Sequence, residues 1–328
     1  MKTVLVTGGA GYIGSHTCKK LYKTGYKPIL FDNLSTGHKK FVKWGELVVG
    51  DLHNTSLLLD TFEKYNPSAV IHFAASAYVG ESITDPFKYY RNNVGGSLSL
   101  FEAMRSSKVR NIVFSSTCAT YGVPNLDKID ELVPQEPINP YGSSKLMIER
   151  ILRDLSIRDE IKSISLRYFN AAGADRDCEI GELHDPETHL IPLAIQSAFN
   201  GSRLKVLGTD FPTKDGSAVR DYIHVEDLAD AHIKALKYLL NGGDSDSINL
   251  GTGTGTSVFE IIAALKEIGV EVVYDESNRR IGDPAYLVAD SSRAKLILNW
   301  ESKYSDIKDI LKTALLWHRK NDKFNSKE

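Results

Sequence analysis

A glycine-rich turn after the first apolar run constrains the fold of this chain more than any other feature. The run VLVT is followed at once by GGAGYIGSHTCKKL, which places glycines at Gly8, Gly11 and Gly14. Their spacing departs from the usual G-x-G-x-x-G, but a strand precedes the turn and a helix follows it. In that context glycine lets backbone N–H groups and a helix N-terminus approach a pyrophosphate. A tight turn without a ligand is the alternative, and the position of the turn favours a dinucleotide site.

Short apolar or β-branched runs recur along the chain, mostly separated by helix-like stretches such as SLSLFEAMRSSK. Near-continuous apolar strands that alternate with helices are typical of a parallel sheet covered on both faces. The sequence therefore predicts an α/β fold with a doubly wound parallel sheet, the Rossmann architecture. Its strands are predicted at VLV (4–6), ILF (29–31), LVV (47–49), AVIHF (69–73), NIVFSS (111–116), SISLRYF (163–169) and SINLG (247–251).

A change of pattern after residue 172 indicates a second region. GADRDCEIGELHDPETHLIP is polar, contains Asp-Pro and predicts a long loop, whereas VEDLADAHIKALKYLL (225–240) predicts a helix that returns to the sheet. We therefore expect two interleaved domains. The dinucleotide-binding Rossmann domain is predicted at 1–172 plus about 221–252, and a second, smaller α/β substrate domain at about 173–220 plus 253–328.

Composition and cysteine usage narrow the class of protein. The 328 residues are 25% charged with a formal net charge of −2 and no long basic block, so neither a nucleic acid nor a membrane is an expected partner. Cys18, Cys118 and Cys178 are odd in number and form no C-x-x-C pattern, which argues against a disulfide framework and a zinc site. The N-terminal stretch is too broken for a signal peptide. We expect a cytoplasmic protein without a metal.

An acidic residue after the second strand indicates which dinucleotide binds. Asp32 in FDN lies eighteen residues beyond Gly14, near the spacing at which a carboxylate accepts hydrogen bonds from an adenosine ribose. A carboxylate there repels a 2′-phosphate, which favours NAD over NADP. Asp51 in GDL follows the third strand; it either reaches the adenine or is an ordinary surface residue.

The stretch YGSSK places Tyr141 and Lys145 four residues apart on a predicted helix. A solvent-facing i,i+4 pair is the ordinary interpretation. In a dinucleotide fold, however, hydride transfer from an alcohol needs a base, and lowering a tyrosine pKa by about three units takes roughly 4 kcal/mol. A lysine ammonium and a positively charged nicotinamide can supply that field. The hydroxyls of Ser115, Ser116 and Thr117 lie where open α/β sheets bind ligands and offer a proton relay, with turn capping as the alternative.

Many ordered motifs together resemble one family. TGGAGYIGSHT, FDNLSTG, VIHFAA, VGES, NNV (92–94), FSSTCATYG, NPYGSSK, LRYFN, VRDYIHVEDLADAH and NLGTGTG are similar to motifs of the extended short-chain dehydrogenase/reductases. Within them the chain most resembles the UDP-glucose 4-epimerases of galactose metabolism, from residue 2 to about residue 300. Agreement of so many motifs is far more specific than one glycine triplet.

The resemblance implies a mechanism. Tyr141 is the implied base, Lys145 lowers its pKa and binds the nicotinamide ribose, and Thr117 bridges the sugar hydroxyl. Members of the family oxidise the C4 hydroxyl of a UDP-hexose with bound NAD, rotate the 4-keto sugar and return the hydride to its other face. NAD is therefore expected to stay bound through turnover.

The resemblance also implies binding residues. The implied cofactor contacts are Gly8, Gly11, Tyr12, Ile13, Gly14, Asp32, Asn33, Asp51, Leu52, Phe73, Ala74, Ala75, Asn93, Ser115, Tyr141, Lys145 and Tyr168. The implied substrate contacts are Thr117, Asn170, Leu190, Arg220, Arg280 and Asp283. Many relatives carry a lysine soon after H-F-A that contacts the cofactor, and Ala77 stands there in this chain. His224, in DYIHVED, is expected to be structural.

Rival activities differ at identifiable positions. The 4,6-dehydratases resembling this chain place an Asp-Glu pair after the catalytic threonine, whereas Cys118 and Ala119 follow Thr117 here. A UDP-N-acetylglucosamine 4-epimerase, or a dual-specificity enzyme, is the nearer alternative. The residue that limits room for a 2-acetamido group aligns with Leu287, intermediate between the tyrosine that favours plain hexoses and smaller residues that admit the acetamide. A non-catalytic dinucleotide-sensing protein would typically lack the Tyr or the Lys.

The resemblance implies a homodimer. In this family the helices around residues 94–106 and 143–158 commonly pair across the dimer interface. Apolar side chains on them, most of which are expected to pack on the sheet, are Leu98, Phe101, Ile148, Ile151, Leu152 and Leu155.

Overall fold

The computed structural model describes residues 1–280 and 282–325, and side chains as far as residue 321. Strands in this part of the chain are β1 (Thr3–Thr7), β2 (Lys27–Asp32), β3 (Glu46–Val49), β4 (Ala69–His72), β5 (Asn111–Thr117), β6 (Lys162–Tyr168), β7 (Asn170–Ala172), β8 (Leu204–Leu207), β9 (Val219–His224), β10 (Asp246–Leu250), β11 (Gly255–Ser257), β12 (Tyr274–Ser277) and β13 (Tyr286–Leu287).

The α-helices of the same residues separate most of these strands. They are α1 (Tyr12–Lys23), α2 (Thr55–Tyr65), α3 (Val79–Thr84), α4 (Pro86–Tyr89), α5 (Gly96–Ser106), α6 (Pro140–Ile157), α7 (Leu190–Asn200), α8 (Val225–Leu240), α9 (Val258–Glu267), α10 (Ser292–Leu298) and α11 (Ile307–Asn325). A π-helical segment (Tyr90–Gly95) runs into α5, and a 3₁₀ turn (Cys118–Tyr121) follows β5. No helix in the described ranges has both the length and the apolar character needed to cross a bilayer.

Seven parallel strands form the main sheet in the order β10-β6-β5-β4-β1-β2-β3. The chain builds β1, β2 and β3 outward in one direction and then returns to place β4 and β5 on the other side of β1. The switch point between β1 and β4 is where such sheets bind ligands. The predicted doubly wound parallel sheet is confirmed, and each of the seven predicted apolar runs coincides with one of these strands to within one residue at its C-terminal end.

The alternation of side chains along the strands divides the core into two layers. In β1, Val4 and Val6 face a cluster that also holds residues of α1, α8 and α10, whereas Leu5 faces the opposite cluster with residues of α2, α5 and α6. Successive strand residues point to opposite faces, so a nearly continuous apolar strand needs helices on both sides. The glycine turn and the start of α6 therefore sit at the carboxyl edge of a sheet held rigidly from both faces.

A second region carries its own strands and core. β9 pairs with β7, β11 and β13, and β8 pairs with β12. Helices α7, α9 and α11 pack against these strands in a separate apolar cluster. After β9 the chain returns through α8 and β10 to the main sheet. Helix α8 covers the predicted 225–240, while the predicted domain boundaries stay a prediction.

Candidate active site

The glycine turn between β1 and α1 is closely packed. Gly8 has a φ of +69°, and a Cβ there would lie 2.6 Å from the backbone nitrogen of Ala74. A Cβ on Gly14 would clash with the carbonyl oxygen of Gly8. Helix α1 begins at Tyr12 after Gly11, which offers no side chain to cap it, and the first turn contains no acidic residue. The N–H groups in the first turn of α1 therefore fit a pyrophosphate.

The Asp32 carboxylate is fixed against this turn. Its Oδ2 accepts a hydrogen bond from Ala10 N at 2.9 Å, and its Oδ1 accepts one from Leu34 N at 2.8 Å. Burial raises the pKa of Asp32, and the two backbone hydrogen bonds oppose that shift. The residues present thus fit the dinucleotide that the sequence predicts, because a buried carboxylate ends β2 directly beside the glycine turn.

Other predicted adenosine-side residues gather next to Asp32. Asn33 Nδ2 donates to Asp51 Oδ2 at 2.9 Å, and His53 N donates to Asp51 Oδ1 at 2.9 Å. Asp51 itself is exposed, whereas Leu52 is buried against the core. The adenine contact of Asp51 stays a prediction.

Two further predicted residues of α1 are committed to packing. The Tyr12 hydroxyl donates to the carbonyl of Gly173 at 2.6 Å, which links the start of α1 to the loop after β7. Ile13 packs against the core cluster of the sheet. The first N–H groups of a helix have no carbonyl partner inside it, so the backbone N–H groups of these two residues, and not their side chains, are the groups available to a dinucleotide.

The start of α6 brings the predicted catalytic residues together. Asn139 caps the helix by accepting a hydrogen bond from Gly142 N at 2.9 Å. Tyr141 and Lys145 lie one turn apart on the face that meets the end of β5. There the Thr117 side chain, whose Oγ1 accepts a hydrogen bond from Ala119 N at 3.1 Å, lies close enough to the Tyr141 hydroxyl to act on its pKa. Lys145 Nζ donates to the carbonyl of Ser115 at 2.8 Å. The pair is therefore part of the site and not a solvent-facing pair.

Burial dominates the titration of this pair. It raises the pKa of Tyr141 to about 12, and the hydrogen bond from Thr117 opposes the rise. Burial also lowers the pKa of Lys145 to about 7 against the opposing charge of Glu149. The expectation that Lys145 lowers the Tyr141 pKa concerns the site with its nicotinamide bound and stays a prediction.

The three hydroxyls at the end of β5 have different partners. The Ser115 hydroxyl pairs with the Tyr168 hydroxyl, and the Ser116 hydroxyl donates to the Glu149 carboxylate. Ser116 points to the opposite face of the strand, as alternation requires. Of the three candidates for a proton relay, Thr117 is the one that contacts Tyr141.

A buried polar network behind Tyr141 was not anticipated from the sequence. Arg167 in β6 donates from Nε to Glu149 Oε1 at 3.0 Å and from Nη2 to Glu149 Oε2 at 2.6 Å. Its Nη1 donates to the Tyr121 hydroxyl at 2.8 Å, and that hydroxyl donates to Asn249 Oδ1 at 2.7 Å. The network ties α6 to β6 and β10. A charged residue inside the apolar run SISLRYF was the only sequence signal for it.

Asn93 joins the segment after β4 to α6. Its Oδ1 accepts from Ser76 N at 2.8 Å, and its Nδ2 donates to Ser76 O and to Ser144 Oγ, each at 3.0 Å. Ser144 Oγ in turn donates to the carbonyl of Tyr141 at 2.7 Å. The predicted cofactor residue Asn93 thus acts on the position of Tyr141 through the backbone.

The remaining predicted cofactor residues line the carboxyl ends of β4 and β6. The Phe73 ring lies 4.6 Å from the His232 ring, and the Tyr168 ring lies 6.2 Å from it. Ala74 and Ala75 follow Phe73 at the same edge and are half-buried. Ala77, where many relatives carry a lysine, is exposed.

Two predicted substrate residues, Arg220 and Arg280, meet at the carboxylate of a third, Asp283. Arg220 Nη1 donates to the carbonyls of Val219 and Pro284, each at 2.9 Å, and its Nη2 lies 3.8 Å from Asp283 Oδ1. Arg280 Nε donates to Asp283 Oδ2 at 3.0 Å. The structure therefore brings two guanidinium groups to one place, an arrangement that suits a diphosphate.

The other predicted substrate residues lie in the second region. Asn170 begins β7 and Leu190 begins α7, and both are half-buried. Leu287 pairs with Arg220 across β13 and β9 and packs against the cluster that contains Cys118 and Phe169. The predicted specificity residue therefore packs against the cluster that contains Cys118, the residue directly after Thr117.

His224 has a structural role, as the sequence predicts. Its Nδ1 accepts a hydrogen bond from Glu226 N at 3.1 Å and so caps α8. Its Nε2 pairs with Thr313 Oγ1 at 3.1 Å. Burial lowers the pKa of His224 to about 3, which keeps the ring neutral.

The fold and the site define a dinucleotide-binding α/β enzyme with a tyrosine–lysine pair at the carboxyl edge of its sheet. The sequence profile of the NAD dependent epimerase/dehydratase family matches residues 4–251. The chain belongs to this family, and the predicted NAD cofactor and family resemblance are confirmed.

Relatives cover nearly the whole chain. The UDP-glucose 4-epimerase of Rhizobium leguminosarum bv. trifolii is 49% identical over 327 residues, with 98% of each chain covered. A crystal structure of UDP-glucose 4-epimerase from Brucella ovis in complex with NAD is 51% identical, with a TM-score of 0.94 over 96% of this chain and 98% of that one. The UDP-Glc/GlcNAc 4-epimerase from Campylobacter jejuni is 40% identical, with a TM-score of 0.85 over 98% of this chain and 100% of that one.

Proposed function

We propose that this chain interconverts UDP-glucose and UDP-galactose by epimerisation at C4 of the hexose. The observation that carries the proposal is the position of Thr117 next to the Tyr141 hydroxyl and Lys145, in a chain 49% identical to a UDP-glucose 4-epimerase over 98% of its length. The proposed role lies in galactose metabolism.

The proposed mechanism assigns proton transfer to Tyr141. NAD, when bound, supplies a hydride acceptor that can return the hydride to the sugar. Tyr141 removes the C4 hydroxyl proton through Thr117 and later gives it back. Because both the hydride and the proton return to the sugar, the net reaction needs no external oxidant. Burial raises the Tyr141 pKa, and the positive charges of Lys145 and of the nicotinamide are proposed to oppose that rise and favour the phenolate.

The remaining roles follow from position. The glycine turn and Asp32 are proposed to bind the pyrophosphate and adenosine ribose, and Asn93 and Ser144 to hold Tyr141 in place. Arg220 and Arg280 are proposed to bind the substrate diphosphate.

A dual-specificity epimerase is the second candidate function. Leu287 is smaller than the tyrosine that favours plain hexoses, and the dual UDP-Glc/GlcNAc 4-epimerase from Campylobacter jejuni is 40% identical to this chain. The dehydratase alternative has no support at the site, because Cys118 and Ala119 follow Thr117 in a 3₁₀ turn. A dinucleotide-sensing role is disfavoured because Tyr141 and Lys145 are both in place.

A coupled assay tests the proposed function. Purified protein is assayed on UDP-galactose and, separately, on UDP-N-acetylgalactosamine, with its bound dinucleotide measured in the same preparation. Activity on UDP-galactose with NAD retained through purification is the expected result. Comparable activity on both substrates would establish dual specificity, and activity on neither by a folded, NAD-loaded protein would contradict the proposal.

A homodimer through α5 and α6 is part of the proposal. Both helices pack on the same face of the main sheet, yet Leu98 and Met147 are each 42% exposed and Ile157 is 78% exposed. Burial of these side chains between two copies would remove apolar surface from water. Leu98→Glu combined with Met147→Glu should convert a dimer to a monomer in light scattering. An unchanged mass would contradict this interface.

A cytoplasmic location is also proposed. Cys18, Cys118 and Cys178 are all free thiols, which a reducing compartment preserves. Cell fractionation with an antibody against the chain tests this proposal, and recovery outside the cytoplasmic fraction would contradict it.

A further inference from the structure

The loop between β7 and α7 gathers two imidazoles and two carboxylates. Glu182, His184, Glu187 and His189 each offer one ligand atom, and these four atoms lie within 4.8 Å of one another. His184 Nδ1 lies 3.3 Å from Glu182 Oε1 and 3.6 Å from Glu187 Oε2. His189 Nδ1 lies 2.9 Å from Glu182 Oε1 and 3.1 Å from Glu187 Oε1. Both imidazoles thus face the same two carboxylates.

We propose that these four side chains form a binding site for a divalent cation of the zinc class. Bonds of about 2.0–2.2 Å place the ligand atoms of a tetrahedral zinc about 3.3 Å apart. The nitrogen–oxygen separations in the loop lie on either side of that value, so small movements close the site. Two nitrogens and two carboxylate oxygens suit Zn²⁺, whereas Ca²⁺ and Mg²⁺ prefer sites made of oxygen alone.

Burial of the two carboxylates favours a cation at this place. The Glu182 side chain is 5% exposed and that of Glu187 is 6% exposed. His184 Nδ1 is buried and, within the described ranges, has no well-aligned hydrogen-bond partner. Buried polar atoms are normally satisfied, and a cation between this nitrogen and the two neighbouring carboxylates would satisfy it. His189 is 47% exposed and gives an ion access from solvent.

The surrounding residues hold the loop in place from outside. Trp317 Nε1 donates to the carbonyl of Glu182 at 2.8 Å, and His38 Nε2 pairs with the carbonyl of Leu183 at 3.0 Å. The His184 ring meets the Tyr12 ring edge-on at 6.3 Å. A cation there would fasten the loop between the start of α1 and the start of α7. The proposed role is therefore structural, with no part in hydride or proton transfer.

A second cluster in the same loop is acidic but already surrounds a lysine. Asp175, Asp177 and Glu179 also lie close together, but Lys19 Nζ stands among them at 2.7, 2.8 and 2.7 Å. An ammonium already neutralises that cluster, so it carries no proposal. The expectation of no metal in this chain rested on its cysteines, and the Glu182–His189 site uses none of them.

Metal analysis of the wild-type chain tests the proposal. Untagged protein is treated with a chelator, loaded with ZnCl₂ and gel-filtered before its zinc is measured. We expect about one zinc per chain and a Kd below about 1 μM, because a preformed site of four ligands binds zinc tightly. Less than about 0.1 zinc per chain at saturation would overturn the proposal and leave a metal-free ion-pair cluster.

A double variant locates the bound ion. His184→Gln with His189→Gln should weaken zinc binding at least about 100-fold, since both nitrogen ligands are lost. His53→Gln is the matched control, because its imidazole also pairs with a carboxylate, Asp51, at 2.8 Å but lies outside the loop. Zinc content equal to wild type in the double variant would overturn the assignment.

Cobalt spectroscopy keeps the test independent of folding in the variants. Co²⁺ bound to the wild-type chain should give the intense visible bands of a tetrahedral site, and Zn²⁺ should abolish them. Weak bands typical of an octahedral ion, or bands that survive excess Zn²⁺, would contradict a tetrahedral site of four side chains.

Discussion

Lys145 Nζ donates a 2.8 Å hydrogen bond to the backbone carbonyl of Ser115, two residues before Thr117 on the same face of β5. This bond fixes a buried ammonium at the carboxyl end of the strand, where the sheet binds its ligands. The partner is a neutral carbonyl, so the bond adds no negative charge to that of Glu149. In its protonated form Lys145 therefore places a positive charge beside Tyr141 and the predicted nucleotide site.

Removal of the Tyr141 hydroxyl should abolish most of the activity. Tyr141→Phe keeps the ring contact with Tyr89 at a centroid distance of 6.4 Å but removes the hydroxyl beside Thr117. We expect kcat on UDP-galactose to fall about 10²–10⁴-fold, as is usual for loss of a general base. Tyr22→Phe, at a side chain 56% exposed, is the matched control. A Tyr141→Phe enzyme within a few-fold of wild type would remove Tyr141 from the mechanism.

The buried charge of Lys145 should appear in the pH dependence of stability. Burial lowers the pKa of Lys145 from 10.5 to about 7 on folding. Between these values the unfolded chain binds more protons than the folded chain, so the free energy of unfolding rises with pH. Lys145→Met removes this slope. The free energy of unfolding of the variant minus that of wild type should therefore fall by about 1–3 kcal/mol as the pH rises from 7 to 9.5. Urea denaturation at fixed NAD concentration measures the difference.

Lys19→Met is the control for that experiment. Burial lowers the pKa of Lys19, but hydrogen bonds to Asp175, Asp177 and Glu179 more than offset it, so the pKa is raised. A raised lysine pKa stabilises the fold fully below the unfolded value of 10.5. The cost of Lys19→Met should therefore be constant between pH 7 and 9.5. If the stability of the two variants relative to wild type had the same pH dependence, burial would not lower the pKa of Lys145 in the folded chain.

The main sheet and the position of the site at its carboxyl edge were predictable because both depend on local sequence patterns. Apolar runs marked all seven strands of the sheet, and the order of strand, glycine turn and helix marked the site. The spacing of Tyr141 and Lys145 indicated one helical turn without any knowledge of the tertiary structure.

The polar network and the titration of the site were not predictable, because they depend on which elements meet. Glu149 pairs with Arg167 only once α6 packs on β6. The rise in the Tyr141 pKa reflects burial, which no spacing of residues reveals. In the sequence, the four side chains of the Glu182–His189 cluster belong to a predicted polar loop. Only the folded chain brings their ligand atoms close together.

A methyl group on Gly14 should disturb the glycine turn and cofactor retention. A Cβ there would clash with the carbonyl oxygen of Gly8, a backbone atom that cannot move aside. We expect Gly14→Ala to lose about 1–3 kcal/mol of stability and to purify with less NAD per chain. Gly80→Ala is the control, because a Cβ at that position has no neighbour within 4 Å. Dinucleotide released by heating and measured by chromatography decides the outcome. Equal NAD content in the two variants would contradict a binding role for the turn.

The size of the side chain at residue 287 should set the preference between hexose and 2-acetamido substrates. Leu287 packs against the cluster of Cys118 and Phe169, on the strand beside Arg220. Leu287→Ala should raise the ratio of kcat/KM for UDP-N-acetylgalactosamine over UDP-galactose about 10-fold or more by opening space. Leu287→Tyr should lower the same ratio by steric exclusion. The ratio is the measurement of choice, because a general loss of stability lowers both activities together and leaves the ratio unchanged. Leu132→Ala, at a side chain 87% exposed, should match wild type in both assays. If both Leu287 variants also keep the wild-type ratio within about twofold, Leu287 lies outside the substrate pocket and specificity is set by other residues.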